Sequence, residues 1–425
     1  MARNPAGRSV IRSTPAAPPD NELSRHWRIV VACCVGVGAG TTGIPFYTMG
    51  LFVGPLETEF GWSRAAIQLW LTILLLGAIV FVPASGWLAD RYGVRRVAIP
   101  SLLAVSGVLM LIGGLTGSLF GFYFGSLLLA AAGAGTSPLT WTRAINGWFD
   151  RQRGIALGLA LSGTGIAAFL APVYVGWILT EASWRLAYAA LGLLPLLALP
   201  IVHALLAEPA ASARTSGPGR SSPGGVDLPE ALRDYRFWLI ATAFFFVSAG
   251  ISGSISNLPP LLQDQGMSAA AAGRIAGIVG LAVIGGRILA GFLLDRFWAP
   301  AVAAVMLAAP ALSAWILGQP ELNLSLVPVA AVLLGLAAGA EFDFIAYLCS
   351  RYFGLAHYGK IYGIQYAVFA AGAATAPPLF GYMYDTVGSY ADSFLLVSVL
   401  FVIGAGLLPL LGRYPDLPRR GAAAD

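Results

Sequence analysis

Charge is scarce in this chain: 11% of its 425 residues are Asp, Glu, Lys or Arg, against about 25% in an average soluble domain. That is too little to coat a surface facing water. Cysteine is scarcer still, and Cys33, Cys34 and Cys349 all fall inside apolar segments at spacings that suggest neither a disulfide framework nor a zinc site. Histidine is confined to His26, His203 and His357, isolated from one another and from any Ser or Cys partner motif, so no catalytic constellation survives. Alternating strands are missing as well. The apolar runs 69–88 and 97–115 lack the in-out alternation of an outer-membrane barrel.

What the chain has is hydrocarbon: 57% hydrophobic residues and a mean hydropathy of +0.76, arranged in stretches of about 20 residues, the length that spans a bilayer. These features predict an all-α membrane protein with twelve transmembrane helices as two six-helix bundles. The expected organisation is a disordered cytoplasmic tail at 1–26, an N-terminal bundle at 27–207, a cytoplasmic linker at 208–234, a C-terminal bundle at 235–412 and a cytoplasmic tail at 413–425. The first 26 residues hold no apolar core before Trp27, which argues against a signal peptide. Residues 214–223 are rich in Ser, Gly, Pro and Arg, a flexible linker composition. The net charge of +5 is scattered over short loops rather than gathered into a nucleic-acid-binding stripe. Arg and Lys in short loops stay cytoplasmic, so both termini are placed inside. The opposite loops hold Glu57, Glu59, Asp264, Glu321 and Asp385.

The two halves repeat each other. Gly61 and Ser63 match Gly266 and Ser268, Gly86 and Asp90-Arg91 match Gly291 and Asp295-Arg296, and Pro172 and Gly176 match Pro377 and Gly381, each pair offset by 205 (295 − 90 = 205). One offset shared by three unrelated motifs points to a duplicated six-helix unit in parallel orientation, with an aqueous site between the halves.

Gly86-Trp-Leu-Ala-Asp90-Arg91-Tyr-Gly93-Val-Arg95-Arg96 resembles the signature of the major facilitator superfamily between its second and third helices, and Gly291-Phe-Leu-Leu-Asp295-Arg296 is a degenerate second copy. The resemblance implies a gate formed by Gly86, Asp90, Arg91, Arg95, Arg96, Asp295 and Arg296; the bland alternative is a charged turn that only sets topology. Trp148-Phe-Asp-Arg151-Gln-Arg153-Gly and the residues up to Gly163, with Phe60-Gly-Trp62-Ser63-Arg64 and Glu341-Phe-Asp343, look like bacterial monocarboxylate porters and oxalate:formate-type antiporters. The first span departs from the acidic, Trp-rich motif of animal members, having Thr41-Thr-Gly43-Ile-Pro45-Phe-Tyr47 instead.

Ionisable groups inside apolar spans are costly and mark partners, cavities or substrate paths. Arg143, Arg287, Glu341 and Asp343 lie roughly 9 to 18 Å from the cytoplasmic helix ends at about 1.5 Å per residue, near the midplane. Arg287 offers a planar fork for a carboxylate, and the resemblance implies that the matching arginine contacts substrate; the alternative is a permanent salt bridge to Asp343 or Glu341. Where those porters often carry a proton-coupling Asp four residues earlier, this chain has Val283. Glu341 and Asp343, two positions apart, cannot share one helix face. Asp343 keeps the company of Tyr347, Ser350 and Arg351, and Glu341 that of Ile345, Leu348 and Tyr352, so Asp343 is the expected cavity carboxylate and Glu341 a packing residue, with the reverse left open. Both are proton-coupling candidates. Arg143 either supplies a second positive group to substrate or pins the fourth span to the gate.

Breakers crowd the first span (Gly36, Gly38, Gly40, Gly43, Pro45, Gly50) and the seventh (Gly250, Gly253, Pro259), which makes Tyr47, Thr48, Ser256 and Asn257 candidate substrate contacts. Gly38-Ala-Gly40-Thr-Thr-Gly43 and Gly163-Thr-Gly165 fit a dinucleotide fingerprint without the strand it requires and are expected, like Gly154 with Gly158 and Gly359 with Gly363, to pack helices closely. The expectation is a secondary transporter of a small organic anion, a monocarboxylate, by proton symport with alternating access, working as a monomer in a bacterial inner membrane without cofactor or metal. Anion exchange and proton-coupled export of hydrophobic compounds are the alternatives.

Overall fold

The computed structural model describes residues 22–149, 152–208, 225–354 and 356–415. Expectations for residues 1–21, Arg151, most of the linker and the end of the carboxyl tail fall outside these. Fifteen α-helices occur among the described residues: α1 (Glu22–Gly38), α2 (Ile44–Phe60), α3 (Arg64–Tyr92), α4 (Val94–Leu115), α5 (Leu119–Gly133), α6 (Pro138–Asn146), α7 (Arg153–Glu181), α8 (Trp184–Leu205), the short α9 (Leu228–Arg233), α10 (Tyr235–Asp264), α11 (Ala269–Leu294), α12 (Ala299–Leu317), α13 (Val327–Phe353), α14 (Tyr358–Val387) and α15 (Ala391–Leu407). Ten helical stretches are long and apolar enough to cross a membrane, α5 and α6 counting as one. The two remaining expected spans are α1 with α2, which the chain divides at 39–43, and the 30-residue α14.

Local chemistry explains the boundaries. Ser63 and Ser268 have extended backbones and accept the amides of Ala66 and Ala271, starting α3 and α11; such caps stabilise a helix by about 1 kcal/mol. Gly61 and Gly266 stand just before them at φ of +63° and +82°, a conformation that costs glycine nothing. The repeated Gly-x-Ser is therefore a turn in both halves. The break in the first span fits the break in the fourth: a Cβ at Gly40 would lie 2.7 Å from the Thr136 hydroxyl, and Gly133 makes room for Thr41. A 3₁₀ turn at Ala134–Thr136 separates α5 from α6.

The seventh span corrects the expectation, because α10 runs unbroken over 30 residues through Pro259 and Pro260. Its glycines serve packing: a Cβ at Gly250 would meet the Phe401 ring at 2.5 Å and one at Gly253 the Phe380 ring at 2.7 Å. Outward faces carry apolar side chains such as Val80, Leu111, Phe120, Val305 and Val402, as lipid contact requires.

The halves meet along three seams, α2 against α10, α3 against α14 and α7 against α11. The repeat is visible in the contacts. Gly176 sits against the Ala269 carbonyl and Gly381 against the Ala65 amide, each with its would-be Cβ 2.5 Å away. These contacts lie toward the ends of α3 and α11 remote from Asp90 and Asp295. At the motif end the helices part, and a Cβ added at Gly154, Gly158, Gly291, Gly359 or Gly363 would find nothing within 4 Å. Close packing was expected of the Gly154/Gly158 and Gly359/Gly363 pairs and is absent there, because α7 approaches α11 only from Gly165 onward, where Gly280 lies against Ala168.

Candidate functional site

Near the middle of the molecule α11 and α13 touch through reciprocal glycines: a Cβ at Gly286 would overlap the Leu336 carbonyl, and one at Gly339 the Val283 carbonyl. This contact sets the charges that follow. Arg287 Nε lies 3.6 Å from Asp343 Oδ2, with the two side chains 13% and 35% accessible, and it makes no hydrogen bond. Arg287 Nη1 instead donates to the Leu161 carbonyl of α7 at 2.7 Å, so the guanidinium bridges the halves. Glu341 is buried, and its Oε2 has no hydrogen-bond partner. Tyr47 of α2 lies within electrostatic range of both Glu341 and Arg287. One cation and two carboxyl groups thus share a seam that water reaches only in part, where charges interact more strongly than in bulk water.

The periodicity argument for α13 matches the burial. Ile345, Leu348 and Tyr352, on the Glu341 side, are buried, whereas Tyr347 and Ser350, on the Asp343 side, are half-exposed. Glu341 nonetheless stands in the same electrostatic neighbourhood as Arg287.

Other expected substrate contacts lie elsewhere. Arg143 pairs with Asp90 of α3, at the motif end, apart from the Arg287 group. Asn257 is fully buried; its amide donates to the Gly253 carbonyl at 2.9 Å and to Ser256 Oγ at 3.1 Å, and its oxygen accepts from Gln68 Nε2 at 3.1 Å. It joins α10 to α3 rather than facing a cavity.

At the motif end the Gly86 Cβ position lies 3.3 Å from Leu139, and Arg91 lies over Trp87 and Tyr92. Arg95 donates to the His203 carbonyl at 2.9 Å while its amide donates to Glu208 at 3.1 Å. Arg95 and Arg96 line an open cavity of about 570 Å³ with Ile99, Pro100, His203 and Glu208. In the second copy, Arg296 stacks on Phe292 at 3.5 Å, and the Asp295 amide donates to the Gly291 carbonyl. Each of these contacts stays within its own half.

The opposite end holds a cluster that sequence reasoning missed. Arg64 is 5% exposed; its Nη1 and Nη2 clamp Asp264 at 2.6 and 2.8 Å, its Nε meets Glu57 at 3.0 Å, and Nη1 also donates to the Tyr390 hydroxyl at 3.0 Å. The guanidinium lies 3.7 Å from the Tyr384 ring centroid. Asp385 accepts the amides of Arg64 and Ala65, both at 2.9 Å, capping α3 from the other half. Thr72 adds a hydrogen bond to the Ala374 carbonyl, and Gln68 one to that of Ser256. The available signal was an arginine among loops otherwise rich in acid.

Two pseudo-symmetric helix sets are thus closed at one end by the buried Arg64 cluster, parted at the other, and joined between by the half-buried Arg287. Residues 30–329 match the Major Facilitator Superfamily. The chain belongs to that superfamily. It is a transporter, not an enzyme, with the all-helical fold of its family. Among curated relatives of this major facilitator protein, Monocarboxylate transporter 11 of Homo sapiens is 27% identical over 98% of this chain and 87% of its own length. Monocarboxylate transporter 13 of Bos taurus is 26% identical over 94% and 92%, and the MFS transporter asaE of Aspergillus flavus 24% over 92% and 87%. Among solved structures, a bacterial homologue of the human lysosomal transporter Spinster superposes with a TM-score of 0.70 in its inward-facing unoccupied form and 0.68 in its inward-facing occupied form. Both are 16% identical, over 93% of this chain and 98% and 97% of theirs.

Proposed function

We propose that this major facilitator protein moves a small organic anion, a monocarboxylate, together with a proton, by rocking its two halves about the Arg287 seam. The observation that carries this reading is the state of Arg287. Its Nη1 is fixed to one half, while its Nε faces Asp343 of the other at 3.6 Å without a hydrogen bond. A substrate carboxylate that takes the fork bidentately would exchange a loose pair for a directed one. The relatives named as monocarboxylate transporters support the same class.

In this scheme Asp343 is the carboxylate that substrate displaces from Arg287. Glu341, buried with an unpartnered oxygen, is the group that carries the proton. The Asp90–Arg143 pair and the motif arginines form the gate of the parted end, which the loop arginines assign to the cytoplasm, and the Arg64 clasp closes the far end. The likeness of the helix-start motifs to bacterial porters supports a bacterial inner membrane. One chain supplies both halves of the seam, so a monomer suffices. Exchange is a second reading with its own support: the position at which porters often hold a proton-coupling acid is Val283, whose backbone is spent against Gly339.

The test is uptake of labelled lactate and acetate into proteoliposomes, under an inside-alkaline gradient or with the same anion trapped inside. Gradient-driven uptake that Arg287→Ala abolishes, with correct insertion, is the expected result. Wild-type uptake by Arg287→Ala would sink the anion reading, and uptake only with trapped anion would select exchange.

A further inference from the structure

Beyond the charges, the same seam carries rings that the carboxylate reading leaves unused. Tyr358, Tyr362, Tyr366 and Phe369 recur at intervals of four, four and three along α14, one face of a helix. Successive rings lie 5.4, 6.2 and 6.0 Å apart at 11°, 32° and 20°. Phe342, between the two acids on α13, joins them at 6.2 Å from Tyr366 and 4.7 Å from Phe369. A tyrosine row of this kind is not a lipid-facing surface. Tyr366 is 37% accessible, and its ring lies beside Phe342, the residue between Glu341 and Asp343. The outward face of α14 is marked instead by Leu379 and Tyr382, 13 and 16 positions on and so on the opposite side of the helix. Tyr358 donates to the Ala346 carbonyl at 3.4 Å, whereas among the described residues no hydrogen bond engages the hydroxyl of Tyr362 or Tyr366. Beside this row the Gly359 and Gly363 positions open on empty space.

We propose that the ladder is the substrate's second subsite, and that the carrier's preferred substrate is an aryl-substituted monocarboxylate whose ring lies on Tyr366 and Phe342 while its carboxylate meets Arg287. This rests on the carboxylate reading above and narrows it. Offset or edge-on ring contacts are favourable beyond the area they bury, and two free hydroxyls at the rim give a polar substituent on the ring a partner. A substrate as small as acetate would leave this surface wet.

The experiment is a binding titration on the purified full-length chain in detergent, with acetate, lactate, phenylacetate, 3-phenylpropionate, 2-phenylethanol and tetraphenylphosphonium as probes. The expected result is that both aryl carboxylates bind about tenfold or more tighter than acetate and lactate, that 2-phenylethanol binds weakly, and that Tyr366→Leu removes most of the aryl advantage while Tyr366→Phe keeps it. Equal affinity for lactate and phenylacetate would overturn the ladder while leaving the carboxylate reading in place. Tetraphenylphosphonium binding with no carboxylate binding would overturn both. Tight binding of 2-phenylethanol, equal to phenylacetate, would show partition into detergent or an apolar pocket and overturn the subsite. Because the wild-type panel alone decides the first point, poor folding of the leucine variant does not rescue the proposal.

Discussion

Two arginines sit across the seams, and they differ in how completely they are held. Arg64 has two ion-pair partners, a hydroxyl and a ring; Arg287 has one directed hydrogen bond and a loose carboxylate. A charge that is fully satisfied holds a conformation, and one left partly unsatisfied can recruit a ligand. Arg287→Lys should therefore fail nearly as badly as Arg287→Ala, by about tenfold or more in uptake at low substrate, because a point charge cannot reproduce the fork. Glu341→Gln should abolish gradient-driven uptake and leave anion exchange intact, whereas Asp343→Asn should weaken both; parallel flux assays separate the two, and the reverse pattern would swap their roles. The sequence showed Arg287, Glu341 and Asp343 plainly, because a charge inside an apolar run stands out. It hid Arg64, which begins a helix, where an arginine is ordinary, and whose partners in the other half are 200, 321 and 326 positions away. It also left open what Arg143 meets, since helical spacing gives a face but not the neighbour on it.

At the scale of the helix, glycine does two jobs that sequence cannot tell apart. Gly286 and Gly339 admit a neighbouring carbonyl, whereas Gly154 and Gly363 face empty space. Gly339→Ala should force α11 and α13 apart, costing about 1–3 kcal/mol and lowering the thermal unfolding midpoint in detergent. Gly154→Ala should leave that midpoint unchanged or slightly raised, since it removes backbone freedom and meets nothing. The Gly-x-Ser turns and the break near Gly40 were legible because a cap and a left-handed turn are local demands. The continuity of α10 was not, since whether Gly250 and Gly253 break a helix or seat Phe401 and Phe380 depends on rings more than a hundred residues away.

At the scale of the molecule, closure at the Arg64 end and separation at the motif end define the state with the motif side open. Arg64 is buried while its partners Glu57 and Asp264 keep 38% and 28% of their side-chain surface, so the clasp holds a desolvated cation between partly hydrated acids and, in the proposed rocking scheme, favours closure of this end. Arg64→Gln should shift the population toward opening at the Arg64 end, read as faster labelling of a cysteine placed at Thr72 or Gln68 by an impermeant thiol reagent added on that side. Unchanged labelling, with the Arg64→Gln chain folded, would mean that the helix seams alone hold that end shut. The internal repeat foretold paired seams between the halves, but which end of them is closed cannot be read from a pattern that is the same at both. The repeat is also unfaithful at one telling place. The position equivalent to Arg64 is Ala269, and that equivalent to Asp385 is Thr180 (64 + 205 = 269; 385 − 205 = 180). Of the two related seams, α3 with α14 is tied at this end by the Asp385 carboxylate on the Arg64 and Ala65 amides and by Arg64 over the Tyr384 ring, whereas the matching end of α7 with α11 is closed by glycine against backbone. Opening that end is then expected to be lopsided, the uncharged seam parting first while the tied one serves as a pivot, so that a spin label pair across α7 and α11 separates further than its twin across α3 and α14.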